Sequence, residues 1–390
     1  MGLPIIGETL QFFVPYTSTD ISPFIKKRIQ RYGPVFRTSI VGHPIIVSTD
    51  PELNSLVFKQ GADSWFKPWY TDSFSEIIGS ESLMFHEGFL HKYVRGLVRE
   101  GFGPDSLKSL LVDLEGRTKS HLGSWSVLPS VDLKEVVSAM LHGFAVEKLY
   151  SFSDPEMIRG HKQSYDAFLR GLISFPLNIP GTAYWKCLQV WLHKDLMEEI
   201  DSGESPLTEK MATDLLFLLP FAAFESTSST IVSAFHYLTA HPAALAELTR
   251  EHEAILKRRE ESGSVGISWR EYKSMTFTHM VTNETLRLTN IVPGIFRKVM
   301  KDVEVKGYLI PAGWTVMVYP TAAHLNPSVY DDPLSFNPWR WEGQKVNSGS
   351  ENFMAFGGGT RFCSGAEFVK LCMAIFFHHL VTKYRYVQFD

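Results

Sequence analysis

The sequence predicts a mainly α-helical protein with small β-sheets, of the α+β class. Residues 211–240 form an apolar run long enough for one extended helix. Residues 35–49 form two β-branched runs around the turn VGHP at 41–44, and residues 296–318 alternate short strands with turns. Most of the chain between these two regions has a helical pattern. The strands are therefore minor elements beside the helices.

The long apolar run is predicted to be a buried helix that crosses the core. It contains Asp214, Glu225 and His236. Polar side chains are costly in a lipid-facing helix, so they argue against a membrane span. Pro220 lies inside the run, where proline removes a backbone hydrogen bond and kinks a helix.

The C-terminal part of the chain is predicted to alternate helix and coil. Residues 276–290 have a helical pattern, residues 326–359 are rich in Pro, Asn, Ser and Gly, and residues 364–383 return to helix. No repeat, low-complexity tract or linker interrupts the sequence. The simplest organisation is one domain over residues 1–390.

The amino-acid composition allows a protein with a large apolar core and argues against a nucleic-acid-binding protein. The chain has 390 residues, 44% of them apolar, and 28 phenylalanines, enough for a large core and an apolar cavity. Its formal net charge is −4. Proteins that bind nucleic acids usually carry a clear basic excess, so no nucleic-acid partner is expected.

The three cysteines, Cys187, Cys363 and Cys372, share no C-x-x-C spacing. So few cysteines, in an odd number, argue against a disulfide framework or a structural zinc site. They suit a reducing compartment, where one thiol can act as a ligand or a nucleophile.

Cys363 lies in the glycine-rich segment FGGGTRFCSG at residues 356–365. Glycines permit tight turns and a close approach of the backbone to a flat ligand. Amides at the start of the following helix would stabilise a negatively charged sulfur. A dinucleotide-binding loop is excluded, because G-x-G-x-x-G from Gly357 would need glycine at Phe362. A buried structural cysteine is the alternative to a ligand.

The segment resembles the F-x-x-G-x-R-x-C-x-G signature of the cytochrome P-450 superfamily. The matching positions are Phe356, Gly359, Arg361, Cys363 and Gly365. The resemblance implies a P-450 fold, with haem b (iron protoporphyrin IX) between a long central helix and the helix that follows the cysteine. Cys363 would be the metal ligand, and an axial thiolate favours O–O cleavage.

The same resemblance implies roles for the neighbours of Cys363. Arg361 would pair with a haem propionate, and Phe356 would cover the sulfur. Gly357 and Gly365 would let the backbone lie close to the macrocycle.

A charged triad supports the resemblance. Glu284 and Arg287 are three residues apart on a predicted helix, where they can pair. In the P-450 superfamily the equivalent pair is joined by an arginine from the coil before the cysteine loop. That arginine would be Arg340, in FNPWRW at residues 336–341.

The segment AAFEST at residues 222–227 resembles the oxygen-activation segment A/G-G-x-D/E-T-T of the superfamily. It departs twice, with Ala223 for glycine and Ser226 for threonine. The resemblance implies that Glu225, Ser226 and Thr227 are catalytic, with the acid and the alcohol relaying protons to dioxygen. The alternative for Glu225 is a core carboxylate satisfied by a neighbour.

Two further segments suggest partners for the propionates. His91 and Arg95 resemble a W-x-x-x-R helix with histidine in place of tryptophan, and their spacing puts both on one helix face. The alternative is an ordinary solvated face. Arg297 matches an arginine on the strand that follows the Glu284 helix.

The resemblance also indicates the substrate. Segments expected over the distal haem face have few charges, which implies a bulky hydrophobic substrate. Residues 174–182 and 336–341 resemble the plant clan that oxidises brassinosteroids, triterpenoids and other terpenoid hormones, so a triterpene or sterol is expected. The large apolar side chains concerned are Trp69, Phe74, Phe175, Phe221, Phe224 and Ile291.

The implied reaction is hydroxylation of a C–H bond by one atom of dioxygen. NADPH would supply electrons through a separate flavoprotein, NADPH-cytochrome P-450 reductase, and the enzyme would be a monomer. Two alternatives stay open: a rearrangement or dehydration without external electrons, and a haem-binding protein without activity. The second arises because residues 185–210 and the C-terminus look short beside the superfamily.

The N-terminus bears on location. The apolar stretch in residues 1–16 is interrupted by Pro4, Gly7 and Glu8, so it is neither a membrane span nor a signal peptide. Pro4 and Gly7 resemble the proline-rich stretch that follows the anchor of microsomal members. The resemblance implies membrane association at the cytosolic face of the endoplasmic reticulum, through an anchor absent from this chain or by surface contact.

Overall fold

The computed structural model describes residues 7–16, 19–59, 65–79, 81–150, 154–172, 178–192, 207–289, 291–344 and 350–385. These residues form two compact units, each built from separate stretches of the chain. The first unit comprises Met1–Trp69, Ser233–Glu251 and Met275–Ala366; the second comprises Tyr70–Val232, His252–Ser274 and Glu367–Asp390. The single domain expected over residues 1–390 stays a prediction.

The described residues are mainly helical with two small sheets, as predicted. The helices are α1 Thr9–Phe12, α2 Pro23–Tyr32, α3 Pro51–Lys59, α4 Asp72–Ile78, α5 Gly88–Gly101, α6 Pro104–Trp125, α7 Leu133–Tyr150, α8 Pro155–Leu172, α9 Ala183–Leu192, α10 Glu209–Ala240, α11 Pro242–Ser262, α12 Trp269–Ser274, α13 Thr276–Leu288, α14 Pro320–His324 and α15 Ala366–Lys383. The strands are β1 Val35–Ile40, β2 His43–Ser48, β3 Phe66–Pro68, β4 Ile295–Val299, β5 Val303–Val305, β6 Tyr308–Ile310 and β7 Thr315–Val318.

The first unit is organised around a five-stranded sheet with the order β1-β2-β7-β4-β3. β1 and β2 form the predicted hairpin, in which Val35 pairs with Ser48. β2 runs parallel to β7, whereas β4 is antiparallel to both β7 and β3. The strands β5 and β6 form a separate antiparallel ribbon.

The five-stranded sheet is buried on both faces. Because successive side chains of a strand point to opposite faces, neighbours on one strand enter different clusters. Val316 of β7 packs with Val57 and Phe58 of α3, whereas Met317 packs with Phe24 of α2. Alternation along β1, β2 and β7 therefore fixes the register of the sheet.

The described part of the second unit is helical, and leucine and phenylalanine are prominent among its buried side chains. Leu107, Leu111 and Leu114 recur at helical spacing on α6 and are almost fully buried. On α15, Phe376 and Phe377 are both buried, so adjacent positions of this helix face the interior. A helix that is apolar all round lies inside the protein, and α15 fits that rule.

The long helix α10 begins at Glu209 and ends at Ala240, close to the predicted bounds. Residues Lys210–Ala240 are, by length and composition, apolar enough to cross a membrane, with a mean hydropathy of 1.5. Core helices of soluble proteins pass the same test. Only 33% of its most apolar stretch is buried, so the expectation of a buried helix is met in part. Ile231 and Leu238 are fully buried, as is Asp214 near the start.

Candidate functional site

The glycine-rich segment forms a tight loop that presents Cys363 three residues before α15. The Cys363 amide donates to the Phe356 carbonyl at 2.9 Å, and the Phe362 amide donates to the Gly359 carbonyl at 3.2 Å. Gly357 and Gly359 have φ values of +72° and +61°, which L-residues with a side chain rarely adopt. The loop brings Cys363 to an exposed position.

Close packing against α3 explains why the loop requires glycine. A Cβ on Gly359 would lie 1.8 Å from the Phe58 carbonyl oxygen, and one on Gly358 would lie 3.2 Å from the Phe58 side chain. At Gly365 a Cβ would lie 3.9 Å from the Cys363 sulfur. The glycines therefore seat the loop on α3 and leave space beside the thiol.

The three thiols differ in what they can ligate. Cys187 and Cys372 are buried, and burial raises the pKa of both, that of Cys187 to about 12. Cys363 is exposed and lies just before the N-terminus of an 18-residue helix, where backbone amides favour a thiolate. An exposed thiol with glycine beside it fits the axial ligand of a haem. The alternative of a buried structural cysteine does not hold for Cys363.

The other haem-binding residues predicted in the first unit occupy separate elements. The Phe356 ring lies 6.1 Å from that of Phe362 and packs at the edge of a cluster formed by Leu286 and its neighbours. Arg361 ends the short 3-10 helix Gly359–Arg361 and is half-buried. Arg297 is buried on β4, where its Nη1 donates to the Phe296 carbonyl at 2.8 Å. Their pairing with propionates stays a prediction.

The predicted triad is present in the first unit as one bonded cluster, here called the Glu284 cluster. Glu284 and Arg287 are fully buried side chains of α13, joined by two hydrogen bonds of 2.9 and 2.8 Å. Arg340 Nε donates to the same carboxylate at 3.0 Å. The Asn337 amide and the Trp341 indole each donate to it at 2.9 Å.

Arg287 also holds the coil that precedes the cysteine loop. Its Nη1 donates to the carbonyls of His324 and Pro333 at 2.9 and 2.6 Å, and its Nη2 donates to that of Ser335 at 3.2 Å. The Glu284 cluster thus joins α13 to residues 324–341 through charge-assisted bonds.

His91 and Arg95 lie on α5 in the second unit. His91 is 8% exposed and Arg95 is half-buried. The spacing of four residues puts both on one helix face, as predicted. A fully solvated face does not describe His91, and the contact of both side chains with a propionate stays a prediction.

The segment 222–227 lies within α10 in the second unit. Ser226 Oγ donates to the Ala222 carbonyl at 3.0 Å. Glu225 accepts from Lys134 of α7 at 2.8 Å, and the same ammonium also donates to Ser228 and Ser229 at 2.8 and 2.9 Å. Glu225 thus has a bonded neighbour, but with 29% of its side chain exposed it is not the core carboxylate of the alternative, and its catalytic role stays a prediction.

Thr227 differs from Ser226. Its side chain is fully buried, and its hydroxyl has no hydrogen-bond partner within the described part of the chain. The sequence reasoning missed Lys134, because a single lysine near the start of a helix carries no signal of a partner 91 residues away.

The side chains expected to face the substrate have different environments. Phe224 has no exposed surface and packs edge-on against His142 and Tyr165, with centroids 5.0 and 5.8 Å apart, so it belongs to the core rather than a cavity wall. Phe74 stacks on Tyr70 at 4.9 Å. Trp69 and Ile291 are partly exposed, as is Phe221, whereas Phe175 lies outside the described residues.

Among the described residues, no group of three or more His, Cys, Asp or Glu side chains is arranged to hold a metal ion. Of the three cysteines, all within the described residues, Cys363 is the exposed one, and its role as the ligand of a haem iron stays a prediction.

Comparison with known proteins identifies the family. The family model "Cytochrome P450" matches residues 185–388. The chain is 47% identical to cytochrome P450 87A3 of Oryza sativa subsp. japonica, over 98% of this chain and 80% of that protein. It is 39% identical to cucurbitadienol 11-hydroxylase of Siraitia grosvenorii, over 100% of this chain and 87% of that protein.

A third relative and a solved structure agree. Beta-amyrin 16-alpha-hydroxylase of Maesa lanceolata is 40% identical, over 98% of this chain and 86% of that protein. The structure of retinoic acid-bound cyanobacterial CYP120A1 superposes with a TM-score of 0.83 at 25% identity, covering 97% of this chain and 90% of the other. The chain therefore belongs to the cytochrome P450 family, and it is a haem-binding monooxygenase of that family.

Proposed function

We propose that this protein hydroxylates a bulky hydrophobic terpenoid, a triterpene or a sterol, using one atom of dioxygen. Support comes from relatives whose names specify hydroxylation of cucurbitadienol, beta-amyrin and cholesterol. These substrates share a large apolar skeleton with few polar groups, and the relatives cover nearly the whole chain. A position for the hydroxyl group does not follow, because the relatives act on different carbons.

The observation that carries this function is the contrast among the thiols, with Cys363 exposed before α15 and the other two buried. Cys363 would be the axial ligand, and Arg95, Arg297 and Arg361, with His91, would hold the propionates. Gly357 and Gly365 would leave room for the macrocycle, and Phe356 would cover the sulfur. When bound, the haem supplies the reductive activation of dioxygen that hydroxylation requires.

Glu225 and Ser226 would move the protons that the reaction consumes. Glu225 is partly exposed, so its carboxylate can exchange protons with water. The Ser226 hydroxyl donates its only proton to the Ala222 carbonyl and keeps its lone pairs free to accept one. To pass a proton on, the hydroxyl would turn away from that carbonyl. Thr227 would support this segment from the buried side of α10.

Two electrons would come from NADPH through NADPH-cytochrome P-450 reductase, with this protein acting as a monomer and a single haem domain. It would associate with the cytosolic face of the endoplasmic reticulum membrane. Support for surface contact comes from apolar side chains that are exposed near the N-terminus, namely Leu10, Phe13 and Val14. Exposed apolar clusters of this kind mark interaction surfaces.

The ligand is tested with the spectrum of the reduced, carbon monoxide-treated protein. The wild type should show a strongly red-shifted Soret band, and Cys363→Ser should lose it. Cys187→Ser is the matched control, because its sulfur is buried and donates to the Phe168 carbonyl, a bond that a hydroxyl can keep. A red-shifted band in Cys363→Ser would overturn the assignment.

The reaction is tested by reconstitution with the reductase, NADPH and a panel of sterols and triterpenes. One atom of isotopically labelled dioxygen should enter the product in step with NADPH consumption. A product formed without NADPH would show the rearrangement or dehydration chemistry instead.

A further inference from the structure

Helix α10 continues through Pro220, two residues before the segment 222–227. Proline has no backbone N–H, so it cannot donate to the carbonyl four residues earlier, which is that of Leu216. The ring also crowds that carbonyl and bends the helix. The missing hydrogen bond at Pro220, here called the break, therefore leaves the Leu216 carbonyl in need of a donor. It lies about one turn and a half before the segment proposed to move protons.

Two tyrosine hydroxyls reach the carbonyls at this break. Tyr150, the last residue of α7, donates its hydroxyl to the Leu216 carbonyl at 2.5 Å. Tyr165 of α8 donates its hydroxyl to the Phe217 carbonyl. The two hydroxyls also contact each other, and burial raises the pKa of both phenols. We call Tyr150 and Tyr165 the tyrosine pair.

Aromatic packing holds α10 on both sides of the break. Phe217 precedes Pro220 and stacks on Tyr165 at 4.8 Å. Phe221 and Phe224 follow Pro220; Phe221 lies edge-on to Phe168 at 5.3 Å, and Phe224 lies edge-on to Tyr165 at 5.8 Å. One face of α8 thus packs on both sides of Pro220. Tyr150 supplies the donor that the Leu216 carbonyl loses to the proline, and Tyr165 adds a bond to the next carbonyl, that of Phe217.

The reactive segment begins directly after this region. Ser226 Oγ donates back to the Ala222 carbonyl, so the direction of the serine hydroxyl follows the backbone of the first turn after Pro220. A change in the bend at Pro220 would rotate that turn relative to the turn before it. Small displacements of this kind are costly for reactions that depend on orientation.

We propose that Tyr150 and Tyr165 are positioning residues that fix the bend of α10 at Pro220 and thereby orient Ala222, Glu225 and Ser226 for proton delivery. The inference rests on the proposed function of Glu225 and Ser226. Neither tyrosine contacts the reacting groups; both act through the backbone of α10.

The first test removes the hydroxyls and keeps the rings, with Tyr150→Phe, Tyr165→Phe and the double variant as haem-containing proteins. Losing a hydrogen bond of ordinary strength should speed amide deuterium exchange in peptides spanning residues 214–228 by about 5-fold for each hydroxyl. Product formed per NADPH should fall to less than half with KM nearly unchanged, because orientation is lost and binding is kept.

Tyr330→Phe is the matched control. Tyr330 is also buried and donates its hydroxyl to a backbone carbonyl, that of Asn352 at 2.9 Å, in the first unit. Its loss should leave exchange in residues 214–228 unchanged. Equal acceleration by Tyr330→Phe would show a general loss of stability and would overturn the inference.

The second test is a double-mutant cycle with Pro220→Ala. Alanine restores a backbone N–H at position 220 that can donate to the Leu216 carbonyl, so Tyr150→Phe should change exchange and product per NADPH less than 2-fold in this background. The alanine variant also keeps the test available if a tyrosine variant alone fails to fold. An equal effect of Tyr150→Phe in both backgrounds would overturn the inference.

A failure of the inference about the tyrosine pair can be distinguished from a failure of the proton role proposed for Glu225. If Glu225→Gln retained full coupling of NADPH to product, the proton role of Glu225 would fail. The exchange measurements would still report whether the tyrosine pair holds the break, because they do not depend on turnover.

Discussion

The carboxylates of Glu284 and Glu225, one in each unit, differ in how completely they are bonded. Glu284 has no exposed surface and accepts five hydrogen bonds, from Arg287, Arg340, Asn337 and Trp341. Glu225 keeps 29% of its side chain exposed, and it pairs with the flexible ammonium of Lys134. Both are acids on long helices, yet one is enclosed and the other can change partners.

The difference separates a structural role from a chemical one. A buried carboxylate with all its lone pairs occupied by fixed donors cannot gain or lose a proton without breaking the cluster. A partly exposed carboxylate with one flexible partner can exchange its proton at little cost to the fold. We therefore expect variants of the Glu284 cluster to damage folding first, and variants around Glu225 to damage turnover first.

The largest effect is expected for Glu284→Ala. It leaves Arg287 buried without its carboxylate partner, which costs about 3–5 kcal/mol of the free energy of unfolding. Native proteins have only about 5–15 kcal/mol in total, so little haem-loaded protein should be recovered. Urea unfolding and the haem content of the purified protein measure it.

The control for Glu284→Ala is Glu247→Gln, which breaks the surface pair of Glu247 with Arg250 on α11. The urea midpoint should not change, because exposed pairs of this kind are screened by water. A Glu284→Ala protein with wild-type midpoint and haem content would contradict the structural role of the cluster.

The next largest loss of stability is expected in the glycine-rich loop at residues 356–365. This loop packs against α3 and, like Glu284, belongs to the first unit. In Gly359→Ala the new Cβ would meet the Phe58 carbonyl oxygen at 1.8 Å in a left-handed backbone, so we expect a loss of roughly 3 kcal/mol. The red-shifted Soret band should weaken or disappear.

Gly307→Ala separates the two causes. Gly307 also has a positive φ, +76°, but a Cβ there meets no atom within 4 Å. It should cost only the backbone strain, roughly 1 kcal/mol, with the Soret band intact. If the two variants behaved alike, contact with Phe58 would not be the reason for glycine at 359.

The sequence revealed those parts of the site that depend on local pattern. The glycines around Cys363 mark a turn that side chains would obstruct, and the spacing of Glu284 and Arg287 indicates a pair on one helix face. The bounds of α10 follow from its apolar run, to within two residues at its start. These features could be predicted because the interactions that require them lie within a few residues.

The remaining features depend on contacts between distant parts of the chain. Phe58, which forces glycine at 359, lies about 300 residues earlier in the sequence. Lys134 reaches Glu225 from another helix, and Tyr150 reaches the carbonyl exposed by Pro220 in the same way. Pro220 predicts a bend in α10 from the sequence alone. Only the tertiary structure shows which side chain donates to the carbonyl that the proline leaves without a partner.

Acid is expected to lower the free energy of unfolding moderately, because buried imidazoles packed beside α10 must take up protons. His142 donates to or accepts from His161 at 3.0 Å, and burial lowers the pKa of His142 to about 3 and that of His161 to about 4, from 6.5. The unfolded chain therefore binds more protons than the folded one between about pH 6.5 and 3. Stability should be full above pH 6.5 and fall as the pH decreases through this window.

Urea midpoints at pH 7.5, 6.5 and 5.5 measure this effect. His161→Gln removes one titrating group and should flatten the decline relative to wild type. A midpoint that rose as the pH fell, or a decline just as steep in His161→Gln, would contradict the assignment of the effect to this pair.

The smallest effect on stability, confined to turnover, is expected for Lys134→Gln. The ion pair with Glu225 is partly exposed, so its loss should cost less than about 1 kcal/mol. Turnover should fall by about 10-fold with KM changed less than 2-fold, because general acid–base catalysis depends on orientation of the acid.

Lys148→Gln is the control for Lys134→Gln. Lys148 lies on the same helix and forms a similarly exposed pair with Asp113 at 2.6 Å. If both lysine variants slowed turnover equally, the orientation of Glu225 by Lys134 would not be the cause, and the contrast with Glu284 would rest on exposure alone.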